Sequence, residues 1–143
     1  MADVDLRDYG NNPFVINIED ATLQNENYRL ALWTGELLQV TLMSIPVGGD
    51  IGGEVHGEND QFLRLESGKG KVVMGESEDD ITFEREVRDD DIILIPKGLY
   101  HNVTNIGEEP MKIYSIYGPA HHPEGTVHAT KEIAEEEDHH HHH

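Results

Sequence analysis

The chain has 143 residues, no cysteine, and a formal charge of −19 from 29 acidic against 10 basic side chains. That length suffices for one domain with its own core, and the missing cysteine removes disulfide frameworks, thiolate zinc sites and thiol nucleophiles together, which fits a reducing, cytoplasmic setting. So acidic a surface repels phosphate backbones and argues against a nucleic-acid partner. No run approaches the roughly 18 apolar residues of a membrane span, and the opening MADVDLRD is too polar for a signal peptide.

In chain order, residues 1–12 read as a polar N-terminal arm, and short apolar runs between turn signals then recur through 13–128. FVINI (14–18) comes first, followed by LLQVTLMSI (37–45), which is rich in β-branched residues and stops at Pro46. QFLRL (61–65) and ITFEREV (81–87) alternate in polarity. KVVM (71–74) follows the SGKG turn, IILI (92–95) stops at Pro96, and MKIYSIY (111–117) stops at Gly118-Pro119. Many short strands with Gly- or Pro-bearing turns predict an all-β, antiparallel sandwich or barrel. TKEIAEEE (130–137) reads as a short helix capped by Thr130, inside an acidic helical tail at 129–138, and the closing HHHHH (139–143) reads as a purification tag. The carboxylates crowding residues 75–91 read as a solvated face.

Two stretches carry chemistry. In GGDIGGEVHGENDQFLRLESG (48–68), a strand through Gly53 to Gly57 puts Glu54 and His56 on one face, because side chains two apart share a side. Past the turn-prone GEND, Gln61, Leu63 and Leu65 share a face and Phe62 and Arg64 take the other. An antiparallel pairing of the two would set Gln61 beside Glu54 and His56. In IPKGLYHNVTN, a Pro-x-Gly turn ends one strand and another starts at His101, with His101, Val103 and Asn105 on one face.

These stretches resemble the two motifs of the cupin superfamily, G-x5-H-x-H-x3,4-E-x6-G and G-x5-P-x-G-x2-H-x3-N. The chain reads Gly48-x5-Glu54-x-His56-x4-Gln61-x6-Gly68, then Asp90-x5-Pro96-x-Gly98-x2-His101-x3-Asn105. Glu54 stands where the first histidine is expected, Gln61 where the glutamate is, and Asp90 where a turn glycine is. Starting the motif at His56, with Glu58 second, leaves the spacing outside the family pattern and orphans Gly48, so the Glu54 register is preferred. ALWTGELLQVTLMSIPVGGDIGGEVH, DQFLRLESG, HNVTN and YSIYGPAHHPEGTVHATK extend the resemblance over residues 14 to 131. They point to a subgroup of small single-domain cupins often given a mannose-6-phosphate-isomerase-like label.

The resemblance implies an antiparallel jelly-roll barrel with a short C-terminal helix, and a site holding one divalent metal ion on Glu54, His56, Gln61 and His101. Imidazole and carboxylate suit Zn, Fe, Mn, Co, Ni or Cu. The formal ligand charge is that of three histidines and a glutamate, since Glu54 brings the charge that Gln61 lacks. Glu54 is also the candidate catalytic base. The expected partner is a small organic molecule, turned over by dioxygenase or isomerase chemistry. The alternative is a non-enzymatic small-molecule-binding cupin, with or without metal, in which the same residues form a hydrogen-bonded polar cluster. His122 either reaches the site or fixes the chain that follows the last long strand, whereas His121 is expected to face solvent and His128 to pack or lie at the surface. Arg64 is expected to pair with surface acid, and the few Lys and Arg residues show no cluster for a phosphate. Cupins pair through N-terminal strands, so a homodimer is expected, with FVINIEDATLQNENYRL as its edge.

Overall fold

The structure is a computed structural model that describes residues 3–55 and 57–141, with side-chain surroundings through residue 136. After an N-terminal arm come α1 (Ile18–Gln24), β1 (Arg29–Thr34), β2 (Gln39–Ile45) and β3 (Glu54–Val55). β4 (Asp60–Ser67), β5 (Lys69–Ser77), β6 (Asp80–Arg88), β7 (Ile92–Ile95), β8 (Tyr100–Asn105) and β9 (Met111–Gly118) follow. The chain closes with β10 (Val127–His128) and α2 (Lys131–His141). The strands form two antiparallel sheets, ordered β10-β1-β2-β9-β4-β7 and β3-β8-β5-β6. The expected jelly roll is therefore present, as two sheets sharing one core and not hydrogen-bonded into a closed barrel.

Alternation along the strands decides what fills the space between the sheets. On β4, Gln61, Leu63 and Leu65 are buried while Phe62 and Arg64 are half-buried on the other face, and β8 buries His101, Val103 and Asn105. Register then stacks the inward residues in rows. Across the first sheet one row runs Gln39–Tyr117–Gln61, the next Thr41–Ser115–Leu63, then Met43–Ile113–Leu65, and last Ile45–Met111. The second sheet answers with Glu54–His101–Met74, then Val103–Val72, then Asn105–Gly70. The interior thus changes from polar to apolar within about two residues of strand.

Two expectations about pairing fail. β3 pairs with β8, and Gln61 belongs to the other sheet, so Gln61 and Glu54 approach from different sheets and are not strand neighbours. FVINI forms no strand. The Asn17 side chain accepts the Asp20 N–H at 3.0 Å, capping α1, with Glu19 and Asp20 in its first turn, where carboxylates suit the helix dipole. Phe14, Ile16 and Ile18 do bury on alternate positions, but against the outer face of the large sheet beside Leu30, Leu32 and Leu42. The period-two signal reported packing without a hydrogen-bond ladder. The segment expected as a dimer edge consequently offers none before β1, which lies between β10 and β2.

The turn chemistry is as the motifs require. Asp90 is, among the described residues, the non-glycine with positive φ, at 74°, in the turn between β6 and β7 where the family pattern has glycine. Aspartate tolerates that left-handed conformation better than most residues. Gly68 (φ 118°) joins β4 to β5, and a Cβ there would sit 2.9 Å from Met111 Cα. Thr130 caps α2 through its hydroxyl, which accepts the Ile133 N–H at 3.2 Å.

Candidate metal centre

The site grows from the first row of each sheet. Glu54 and His101 are Cα partners across β3 and β8, a separation of roughly 4.5–5.5 Å in any antiparallel ladder. His101 is fully buried. Its Nδ1 lies 3.3 Å from the Leu99 carbonyl oxygen; a proton on Nδ1 makes that bond and leaves the buried Nε2 as the lone-pair nitrogen. From the facing sheet comes Gln61, 4% exposed. It is the ladder partner of Tyr117, and its carbonyl Oε1 is buried with no hydrogen-bond partner among the described residues. A buried amide oxygen left unmatched costs about 1–3 kcal/mol, so such an atom calls for an explanation. A carboxylate, an imidazole lone pair and an orphaned amide oxygen are together a donor set for a hard or borderline divalent cation. The residues present therefore fit a metal.

His56, the fourth expected ligand, lies outside the described residues. Among the described residues no three His, Cys, Asp or Glu side chains gather into one cluster.

Around this donor set lie groups that sequence reasoning missed. Arg29 on β1 is 3% exposed and reaches toward Glu54, Nη2 to Oε1 3.7 Å. Its Nη1 lies 3.4 Å from His128 Nδ1, and its guanidinium stands 5.3 Å from the Tyr28 ring centroid. The phenols of Tyr28 and Tyr117 are both held well above the usual tyrosine range by burial, which outweighs the opposing charge of Arg29, with Glu54 adding to the rise. Both stay protonated at neutral pH. Tyr28 donates to the Ile51 carbonyl at 2.7 Å. The available signal for Arg29 was a lone charge inside YRLALW, in a segment where β1 was not anticipated.

Gln39, also missed, is a clamp. Its amide nitrogen donates to Thr34 Oγ1 at 3.0 Å and to the His122 carbonyl at 2.8 Å, and its oxygen accepts the N–H groups of His121 (3.1 Å) and His122 (2.9 Å). The segment after β9 is thereby fastened over the polar end. Its two imidazoles pack on the Tyr117 ring, 5.5 Å and 5.3 Å between centroids. Asn59 adds a bond to the Pro119 carbonyl. This is the chain-fixing role weighed for His122, and His121 is exposed as expected. His128 is buried beside Arg29, and Arg64 pairs with Asp90 (3.0 Å) and Glu66 (3.3 Å) on the outer face. Asn105, the last residue of the second motif, serves structure: its amide donates to Ile45 and Glu109 carbonyls and its oxygen accepts the Gly107 N–H.

Beside Glu54 and Arg29 opens a cavity of about 390 Å³, also lined by Tyr28, Tyr100, Asn102 and Lys131. Lys131, at the start of α2, binds the Asp50 carboxylate. Burial pushes Asp50 upward, but the hydrogen bond and charge of Lys131, with bonds from Asn102 and Gly52, bring it below the usual carboxylate range.

A jelly roll carrying these two motifs defines a class, and residues 41–117 match the cupin domain family. The chain belongs to that family. It is 57% identical over 126 residues to the protein YrkC of Bacillus subtilis (strain 168), covering 88% of this chain and 68% of YrkC. A protein of Acanthamoeba polyphaga mimivirus is 34% identical over 118 residues, covering 82% of this chain and 72% of the viral one. The crystal structure of BH2720 from Bacillus halodurans superposes with a TM-score of 0.90 at 58% identity, covering 92% of this chain and 99% of that one.

Proposed function

We propose that this protein is a divalent-metal cupin acting on a small organic molecule, with Glu54, His56, Gln61 and His101 as the metal ligands. The observation that supports this most is the orphaned Gln61 Oε1, set in the same polar layer as the paired Glu54 and His101. When bound, the ion supplies Lewis acidity or redox chemistry toward dioxygen, the two branches that lead to an isomerase or a dioxygenase. This chain's own residues orient and exclude. Leu99 holds the His101 tautomer, and the Gln39 clamp fastens the segment after β9. Glu54, whose charge Arg29 partly balances, is the group positioned to take a proton from a substrate in the adjoining cavity. A sugar phosphate is the weaker substrate. Among the described residues Arg29 and Lys131 are the cations lining that cavity, against Asp50, Glu54, Glu78 and Glu135.

The test is elemental analysis of protein lacking residues 139–143, beside Glu54→Ala, His56→Ala and His101→Ala. One equivalent of one metal, lost in the variants while far-UV circular dichroism is unchanged, is the expected result. A site that stays empty after exposure to Zn, Fe, Mn, Ni, Co and Cu removes the metal from the reading. The Arg29–Glu54 pair would then favour the second reading, a metal-free polar pocket that holds a ligand without turnover. A homodimer in the cytoplasm belongs to the same proposal. For the dimer the support is β7, an edge strand of the large sheet with Ile92 and Leu94 exposed, and light scattering decides it.

A further inference from the structure

Arg29 carries more hydrogen-bonding capacity than its surroundings use. A guanidinium has five N–H donors and stays charged, and burying it demands that they be matched. At 3% exposure Arg29 has its Nε without a hydrogen-bond partner among the described residues. Its approach to Glu54 is 3.7 Å, longer than a charge-assisted hydrogen bond, which runs about 2.7–2.9 Å. The other contact, from Nη1 to His128 Nδ1, is 3.4 Å long. The same residue lines the 390 Å³ cavity, a space large enough for a small organic molecule.

We propose that Arg29 is the substrate-recognition residue of this site, and that it binds the carboxylate of a small organic acid in the cavity beside Glu54. Charge selects carboxylate over phosphate. The second cation at the cavity, Lys131, is already taken up by Asp50 and lies 3.8 Å from Glu135. One guanidinium matches one monoanion in a two-pronged geometry. A phosphate dianion in the same place would meet Glu54 and Glu78 with its second charge uncompensated. Tyr28 and Tyr100 give the cavity two aromatic walls, which suits an unsaturated or aromatic acid as readily as an aliphatic one. The proposal rests on the functional reading above in taking this cavity as the substrate site, but the case for Arg29 does not require the metal.

The experiment is isothermal titration of protein lacking residues 139–143, with and without metal, against acetate, pyruvate, malonate and benzoate, their amides, and inorganic phosphate. Metal content is measured on every sample. At least one carboxylate binds with millimolar affinity or better, its amide binds at least tenfold more weakly, and phosphate does not compete. Arg29→Gln lowers carboxylate affinity at least tenfold while metal content holds within twofold. Arg29→Lys, which keeps the charge and loses the fork, lies between. If Arg29→Gln fails to fold, the amide series and Arg29→Lys still decide. Equal binding of acid and amide, undiminished binding in Arg29→Lys together with Arg29→Gln, tighter binding of phosphate, or no binding by any carboxylate overturns the proposal. Carboxylate binding to metal-free protein upholds it even where the metal reading fails; metal loss in Arg29→Gln without a carboxylate effect makes the residue a support for Glu54 alone.

Discussion

The two ends of the interior are built on the same four strands and obey opposite rules. At one end β2, β4, β8 and β9 contribute Met43, Ile45, Leu65, Val103, Met111 and Ile113, each at most 1% exposed. One or two rows along, the same strands contribute Gln39, Gln61, His101 and Tyr117, each at most 4% exposed. Burying the first set is favourable by about 25 cal/mol per Å². Burying the second set is favourable only as far as each polar atom finds a partner. Gln39 satisfies all its hydrogen-bonding groups and belongs to the scaffold, whereas Gln61 Oε1 and Arg29 Nε have no hydrogen-bond partner among the described residues. The difference teaches that the buried polar residues divide by satisfaction: Gln39 is matched throughout, while Gln61 and Arg29, like Thr41 and Ser115 in the layer beside them, keep an atom unmatched among the described residues.

Leu63→Ala breaks the comparison from the apolar side. Leu63 is fully buried, and large-to-small changes at such sites cost about 2–5 kcal/mol; urea unfolding of the metal-free protein measures it, with metal stoichiometry per folded molecule unchanged. His101→Ala is the matched change one row away. It should weaken metal binding at least 100-fold, about 2.7 kcal/mol, yet lower metal-free stability by less than Leu63→Ala, because it removes a group whose desolvation opposed folding.

Gln39→Leu tests the scaffold within the polar end. It keeps the bulk and removes the four hydrogen bonds of the clamp. The expected cost is about 1–3 kcal/mol, with faster amide exchange at His121 and His122 and carboxylate binding at Arg29 retained. Smallest is Asp50→Asn. The folded carboxylate sits below its ordinary range, so its contribution is present above that range and fades as pH falls through the folded value. Asp50 and Lys131 are each about a third exposed, which limits the pair to about 0.2–1 kcal/mol at pH 7. The difference from wild type should shrink in urea titrations as pH falls through the folded value.

Much of this was legible from residue spacing. Period two placed Gln61, Leu63 and Leu65 inward, and put His101 with Val103 and Asn105, because a strand leaves no choice of face once its polarity alternates. Spacing could not show which strands neighbour one another. Gln61 therefore appeared as a strand neighbour of Glu54 when it faces it from the other sheet. Arg29 was invisible because its meaning depends on Glu54, 25 positions later, and His128, 99 positions later. Gln39 reaches its partners in the same way across 82 and 83 positions. FVINI misled for a different reason: packing on a sheet's outer face needs the same alternation as joining the sheet.

The ladder pairing of Glu54 with His101 has one more consequence. Their spacing is a property of the backbone hydrogen bonds, and Gln61 is pinned by its own ladder to Tyr117 and Ile95. Donor identity and donor location are therefore independent variables. The exchange Glu54→His with Gln61→Glu moves one negative charge from one sheet to the other and leaves the backbone where it is. The frame is a socket whose electrical polarity can be reversed without re-cutting it, and under the proposed metal reading that exchange would alter metal preference while the fold stands still.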